Sequence, residues 1–117
     1  MVYSPIDERL YYAESERGAY IYSAFHSARI KVSNLSEPSD ITVGYNVSSA
    51  RPLIGDVRRT GCPALDIAWV AAGKFDAYVS DPLDYAEIAA GDLILREAGG
   101  HIEMMSELIA TNGKLEL

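Results

Sequence analysis

Arg58-Arg59-Thr60-Gly61-Cys62-Pro63-Ala64-Leu65-Asp66-Ile67-Ala68-Trp69-Val70-Ala71-Ala72-Gly73, followed by Asp76-Ala77-Tyr78-Val79-Ser80, decides the fold. Pro63 suits the first helical turn, where its missing N–H is no loss, and Gly73 suits the left-handed residue that ends a helix. Nearly every side chain between them is apolar, so Gly61–Gly73 reads as a helix buried on most faces. Asp76–Ser80 follows as a strand. Asp84-Tyr85-Ala86-Glu87 then opens a second helix in the manner of a capping box, with Asp at the N-cap and Glu three residues on. That helix is expected to run to Ala98 and stop at Gly99. Ile88, Leu93, Leu95 and Ala98 are its core candidates, while Asp92, Arg96 and Glu97 are expected to reach water. His101–Met104 and Leu108–Ala110 read as two more short strands.

Upstream, the periodicity changes to that of β structure. Met1–Pro5, Leu10–Ala13, Ala19–Tyr22 and Ile30–Val32 form an expected antiparallel meander, punctuated by Pro5–Glu8 and Arg17-Gly18. Tyr3, Tyr11, Tyr12, Tyr20 and Tyr22 crowd into it, and cross-strand packing is preferred over a ligand platform. Asn34–Asp40 is loop-like, Ile41–Tyr45 is a strand, and a short helix fits near Leu53–Arg59. Elements in this order imply a layered α/β fold, a mixed β-sheet flanked by helices, as one domain over residues 1–117.

The bulk numbers narrow the function. Of the 117 residues, 49% are hydrophobic, a globular composition. The 17 acidic and 10 basic residues give a net charge of −7, which argues against a nucleic-acid surface. Cys62 is the only cysteine, so no intrachain disulfide is available and a reducing compartment fits. No run approaches the roughly 20 apolar residues of a membrane span. No secretory signal is visible at the N-terminus, so a cytoplasmic location is expected.

Three stretches together resemble the inositol monophosphatase family. Val2-Tyr3-Ser4-Pro5 through Leu10-Tyr11-Tyr12-Ala13 to Gly18-Ala19-Tyr20 is similar to a "V-Y-x-P … L-F-x-A … G-x-G-A-x-x-N-G" pattern. Arg58–Asp66, then Val70–Gly73 and Asp76–Tyr78, resembles "R-x-x-G-S-A-A-L-D-x-x-x-V-A-x-G-x-x-D-A-Y". Glu87–Gly91 with Glu97–Gly100 resembles "W-D-x-A-A-G-x-x-[IL]-x-x-E-A-G-G". Their order and spacing across the chain give the match its weight. The resemblance implies the C-terminal part of a layered fold with a sheet between helices. It also implies magnesium-dependent hydrolysis of a phosphate monoester, with a small polyol or sugar phosphate of the inositol monophosphate kind as substrate and fructose bisphosphate as the alternative. In that chemistry the ions activate a water, bridge phosphate oxygens and stabilise the leaving alkoxide.

The resemblance assigns residues one by one. Glu87 falls where the family has a metal-ligating Asp, and its longer arm still offers an oxygen to magnesium. Its other reading is the N3 residue of a capping box, which the chain by itself favours. Asp81, Asp84 and Glu87 form an acidic cluster that attracts cations or simply suits a helix N-terminus. Gly61, Cys62, Pro63 and Ala64 match the segment that borders the substrate polyol. Cys62 replaces the usual Ser or Thr and is read as a small packing residue, because neither His26 nor His101 is placed as its base. Ser80 stands where the family has a substrate-binding Glu. Asp66 is read as bonded to nearby backbone or a buried Arg, and Trp69 as core.

The family's other metal motifs, a Glu-Glu pair and an Asp-Pro-[Ile/Leu]-Asp-Gly-Thr loop, lie N-terminal to the matching region. Ser4-Pro5-Ile6-Asp7 and Asp81-Pro82-Leu83-Asp84 imitate the loop without its Gly-Thr. No catalytic set is therefore complete in this chain. It is expected to need a missing N-terminal half, or to self-associate as a homo-oligomer. The other reading is a non-catalytic interaction module that keeps the fold.

Overall fold

The computed structural model describes residues 1–5, 7–37, 40–47 and 55–115. Its first part is an antiparallel meander: β1 (Val2–Ser4), β2 (Arg9–Ala13), β3 (Ala19–Ser23) and β4 (His26–Arg29), paired in that order. The fourth strand is not the expected Ile30–Val32. Ile30 gives one more backbone bond to Ala19, and Val32 then donates to Ala98 at the end of a helix. The segment crosses from sheet to helix layer, and its alternation serves packing rather than pairing.

The second sheet contains β5 (Thr42–Asn46), β6 (Asp56–Arg58), β7 (Ala77–Ser80), β8 (His101–Met104) and β9 (Leu108–Thr111), in the order β6-β5-β7-β9-β8. β6, β5 and β7 run parallel, and β9 and β8 join antiparallel. This is the mixed sheet expected from the sequence. The helix suggested near Leu53–Arg59 gives way to β6, because Asp56–Arg58 gains a parallel partner in Thr42–Gly44; Leu53 and Ile54 lie outside the described residues.

Two helices fill the space between the sheets: α1 (Pro63–Ala71) and α2 (Tyr85–Glu97). Both end as Gly73 and Gly99 foretell. Gly73, at φ +78°, donates to Val70 while Lys74 donates to Trp69; Gly99, at φ +96°, donates to Arg96 while Gly100 donates to Leu95. These are paired Schellman bonds, and a left-handed residue favours glycine at each. One core joins the inner face of the meander (Val2, Tyr11, Ala19) to Ile67, Val70, Ile94 and Leu95 of the helices and to Tyr78 and Leu108 of the second sheet. α1 is buried on both sides, as its apolar circumference requires. A second cluster, including Ile41, Val43, Tyr45 and Val79, covers the far face of the mixed sheet.

Several side chains depart from the reading above. Ile94 is fully buried and Leu93 only half so, and Asp92 is buried where water was expected, bonded at 2.5 Å to Arg96. Trp69 is half-buried at the core edge, its indole N–H donating to the Tyr11 hydroxyl at 3.1 Å. Tyr12 stacks on Tyr20 at 5.5 Å, the cross-strand packing preferred for the tyrosines.

Glu97 stays half-exposed, as expected, and its carboxylate also accepts the backbone amides of Glu16 (3.0 Å) and Gly18 (2.8 Å), tying α2 to the β2–β3 turn. Those amides hold its pKa below the usual 4.5. A depressed carboxylate stabilises the fold above its unfolded pKa and loses that contribution as pH falls through the folded one. Glu97→Gln is thus expected to lower the midpoint of thermal unfolding at pH 7. The difference from the parent should shrink below about pH 4.5, which melting curves across pH would read.

Candidate functional site

The parallel pairing brings the C-terminal ends of β5, β6 and β7 to one edge of the second sheet, with Asn46 level with Ser80. Crevices at such strand ends are where ligands bind in open α/β sheets. α1 starts five residues beyond β6, and α2 starts five residues beyond β7. The helices touch closely: a Cβ on Gly91 would lie 3.0 Å from Ile67 Cγ2 and 3.7 Å from the Ala64 carbonyl. Glu87 lies one turn before Gly91 on the same face of α2. The topology therefore places Gly61–Ala64, Ser80 and Glu87 at the same end of the molecule.

At the mouth of α1, Gly61 has φ +79° with open space around it. Cys62 is the N-cap with extended backbone, and its side chain makes no cap bond. It is an exposed free thiol, not the packing residue expected from its size. Thr60 takes over the capping. Its hydroxyl oxygen accepts from the Cys62 amide at 3.2 Å and its O–H donates to Asp66 at 2.5 Å. Asp66 is 1% exposed, and its partner is this hydroxyl rather than backbone or arginine. Burial raises its pKa to about 6, against the opposing pull of Thr60. Because Pro63 has no N–H and Cys62 gives its own to Thr60, Ala64 offers the first outward amide of the helix.

On the opposite side, Ser80 is buried and donates to the Asp81 carbonyl at 2.8 Å. Asp84 is the N-cap of α2, yet its carboxylate makes no cap bond, so the expected capping box does not form. The backbone alone links the pair, Glu87 N–H to Asp84 carbonyl at 2.9 Å. Glu87 is exposed, and Asp81 is half-buried. Among the described residues no three His, Cys, Asp or Glu side chains gather to hold a metal. Magnesium prefers octahedral oxygen coordination, so these donors do not fit a complete site.

Sequence reasoning missed three residues here. Thr60 was seen only as part of a matching segment. Arg59 stacks over Tyr45 at 5.1 Å, holding a positive charge beside the end of β5. The Tyr78 hydroxyl is buried without a hydrogen-bond partner among the described residues, and burial raises its pKa. Only the "D-A-Y" match pointed to Tyr78.

The fold is an α/β arrangement of two sheets with helices between them, and comparison with known proteins supplies the family. The model of the inositol monophosphatase family matches residues 1–113, and the chain belongs to that family. It is 29% identical over 120 residues to an inositol-1-monophosphatase of Caulobacter vibrioides, covering 92% of this chain and 46% of the relative. It is 35% identical over 115 residues to the Nus factor SuhB of Pasteurella multocida, covering 86% and 42%. The inositol monophosphatase structure from Anabaena superposes with a TM-score of 0.82 at 26% identity, covering 96% of this chain and 55% of that one. The chain thus spans about half the length of the relatives it matches. No helix among the described residues is long and apolar enough to cross a membrane.

Proposed function

We propose that this chain forms one wall of the active site of a cytoplasmic, metal-dependent phosphate-monoester hydrolase, which a second polypeptide portion completes. The observation that carries the reading is the meeting of the α1 mouth and the Glu87 turn at the ends of the parallel strands. In this reading Glu87 gives one oxygen to magnesium, and the other ligands come from the complementary portion. When bound, the ion supplies an activated water and charge stabilisation. The α1 mouth borders the substrate: the Ala64 amide and the positive end of the helix face an oxygen of a small polyol or sugar phosphate. Gly61 keeps the backbone approach open, and Cys62 flanks it. Ser80, buried with its hydroxyl held by the Asp81 carbonyl, backs this wall from behind and adds no charge to it, which favours no single sugar.

The reading is tested by assembling this chain with a complementary portion and measuring phosphate release in magnesium from inositol monophosphate and from fructose bisphosphate. Release that requires both components is expected. A stable assembly that hydrolyses neither ester contradicts it.

A further inference from the structure

Met104 is the last residue of β8, the edge strand of the mixed sheet. The register sets it in one row with Leu108, Ser80 and Asn46, at the strand ends where the candidate site lies. Its thioether sulfur accepts the backbone N–H of Leu83 at 3.3 Å. Leu83 belongs to the turn Asp81–Asp84, which leads from β7 into α2 and so to Glu87. Pro82 has no N–H to give and the Asp84 carboxylate makes no cap bond, so the Leu83 amide ties this turn to β8. A thioether is a weak acceptor, and an N–H bonded to it depends on the sulfur keeping its electrons. Met104 is 42% exposed, open enough for a small oxidant to reach it. The other two methionines, Met1 at 78% and Met105 at 82%, are more exposed and serve as internal references.

We infer that Met104 is an oxidation-sensitive latch on the turn before Glu87, and that a hydroperoxide, by converting it to the sulfoxide, lets the turn go. A sulfur lone pair attacks the outer oxygen of the peroxide. The S–O bond forms as the O–O bond breaks, the outer oxygen's proton passes to the departing oxygen, and water or an alcohol leaves. Sulfur gives up two electrons and the peroxide takes them. One sulfur lone pair is occupied by the Leu83 N–H, so the oxidant takes the other, which faces away from the turn. The sulfur left behind carries positive charge and no longer accepts the N–H. The change also turns an apolar side chain into a polar one, and sulfoxide reductases reverse it. That this would regulate hydrolysis rests on the half-site reading above; the release of the turn does not.

The test uses the chain carrying Cys62→Ser, so that oxidation of the exposed thiol adds nothing. Hydrogen peroxide is added, peptide mass spectrometry follows each methionine, and NMR follows amide exchange. Exchange at Leu83 should become about tenfold faster as Met104 gains its oxygen, the equivalent of about 1.4 kcal/mol. Methionine sulfoxide reductases with a thiol should restore the slow rate. Met105→Leu should respond as the parent does. Met104→Leu, a swap of similar volume, should exchange fast at Leu83 from the start and ignore peroxide. If that variant does not fold, the time course of the parent decides, because the acceleration has to track the sulfoxide of Met104 and not those of Met1 or Met105. Unchanged Leu83 exchange with Met104 fully oxidised, a peroxide response that survives in Met104→Leu, or a Met104 that stays a thioether while Met1 and Met105 convert would each overturn the inference. None of these readouts needs Glu87 to hold a metal, so failure here leaves the half-site reading standing, and an inactive assembly leaves the latch standing.

Discussion

Glu87→Ala is expected to lower phosphate release by the assembled enzyme at least about a hundredfold, since outer-shell partners of a metal already cost 10–100-fold and a direct ligand costs no less. The fold should scarcely notice. Glu87 is exposed, and no side-chain cap bond holds the first turn of α2. Only a favourable charge at a helix N-terminus is lost, worth about 0.3–1 kcal/mol. The combination separates the two readings of this residue, because a capping role would move the melting midpoint and leave the rate alone. Glu87→Asp sharpens the comparison. It shortens the arm to that of the Asp in the family pattern and keeps the carboxylate, so it should retain activity that alanine loses. Steady-state rates and melting curves on the three proteins check both halves. Equal activity of Glu87→Ala and the parent would remove Glu87 from the metal.

Asp66→Asn is expected to flatten the dependence of stability on pH. The parent carboxyl has a folded pKa of about 6 against an unfolded value of 3.8. A raised pKa means the fold prefers the protonated group. Its contribution is fully present below 3.8 and is lost as pH rises through about 6. A shift of this size corresponds to about 3 kcal/mol at the most, at 1.36 kcal/mol per unit. The parent should therefore lose up to about that much between pH 4 and pH 7 from this group alone, while asparagine, which cannot ionise, loses none of it. Asparagine still accepts the Thr60 hydroxyl through its carbonyl oxygen, so the link from Thr60 to the Cys62 amide survives. Urea unfolding of both proteins at pH 4, 5.5 and 7 reads the difference. Parallel curves for parent and variant would show that Asp66 does not titrate with folding.

The helices were legible because their punctuation is local. Pro63, Gly73 and Gly99 each act through their own backbone, and the structure uses all three. The meander was legible in kind but not at its last strand, since His26–Arg29 is exposed throughout and carries no apolar alternation, whereas Ile30-Lys31-Val32 carries it without pairing. β6 depended on a parallel partner more than ten residues away, and no window of sequence reports that. The capping box at Asp84 and Glu87 matched in letters and failed in geometry, because an N-cap carboxylate has to turn back onto the helix and this one does not. At α1 the reverse held: Cys62 occupies the cap, and Thr60, two residues earlier, does the bonding. Glu97 reaches amides some 80 residues away in sequence, a contact that only the layering of sheet on helix creates. The positions at the site came from the family resemblance; what they touch came from the topology.

Purified chain, freed of host phosphatases and supplied with magnesium and inositol monophosphate, gives the most direct reading of the idea that one carboxylate wall cannot do this chemistry unaided. Phosphate should stay at background until the complementary polypeptide is added, and then rise. Steady turnover by the 117 residues on their own would contradict that account.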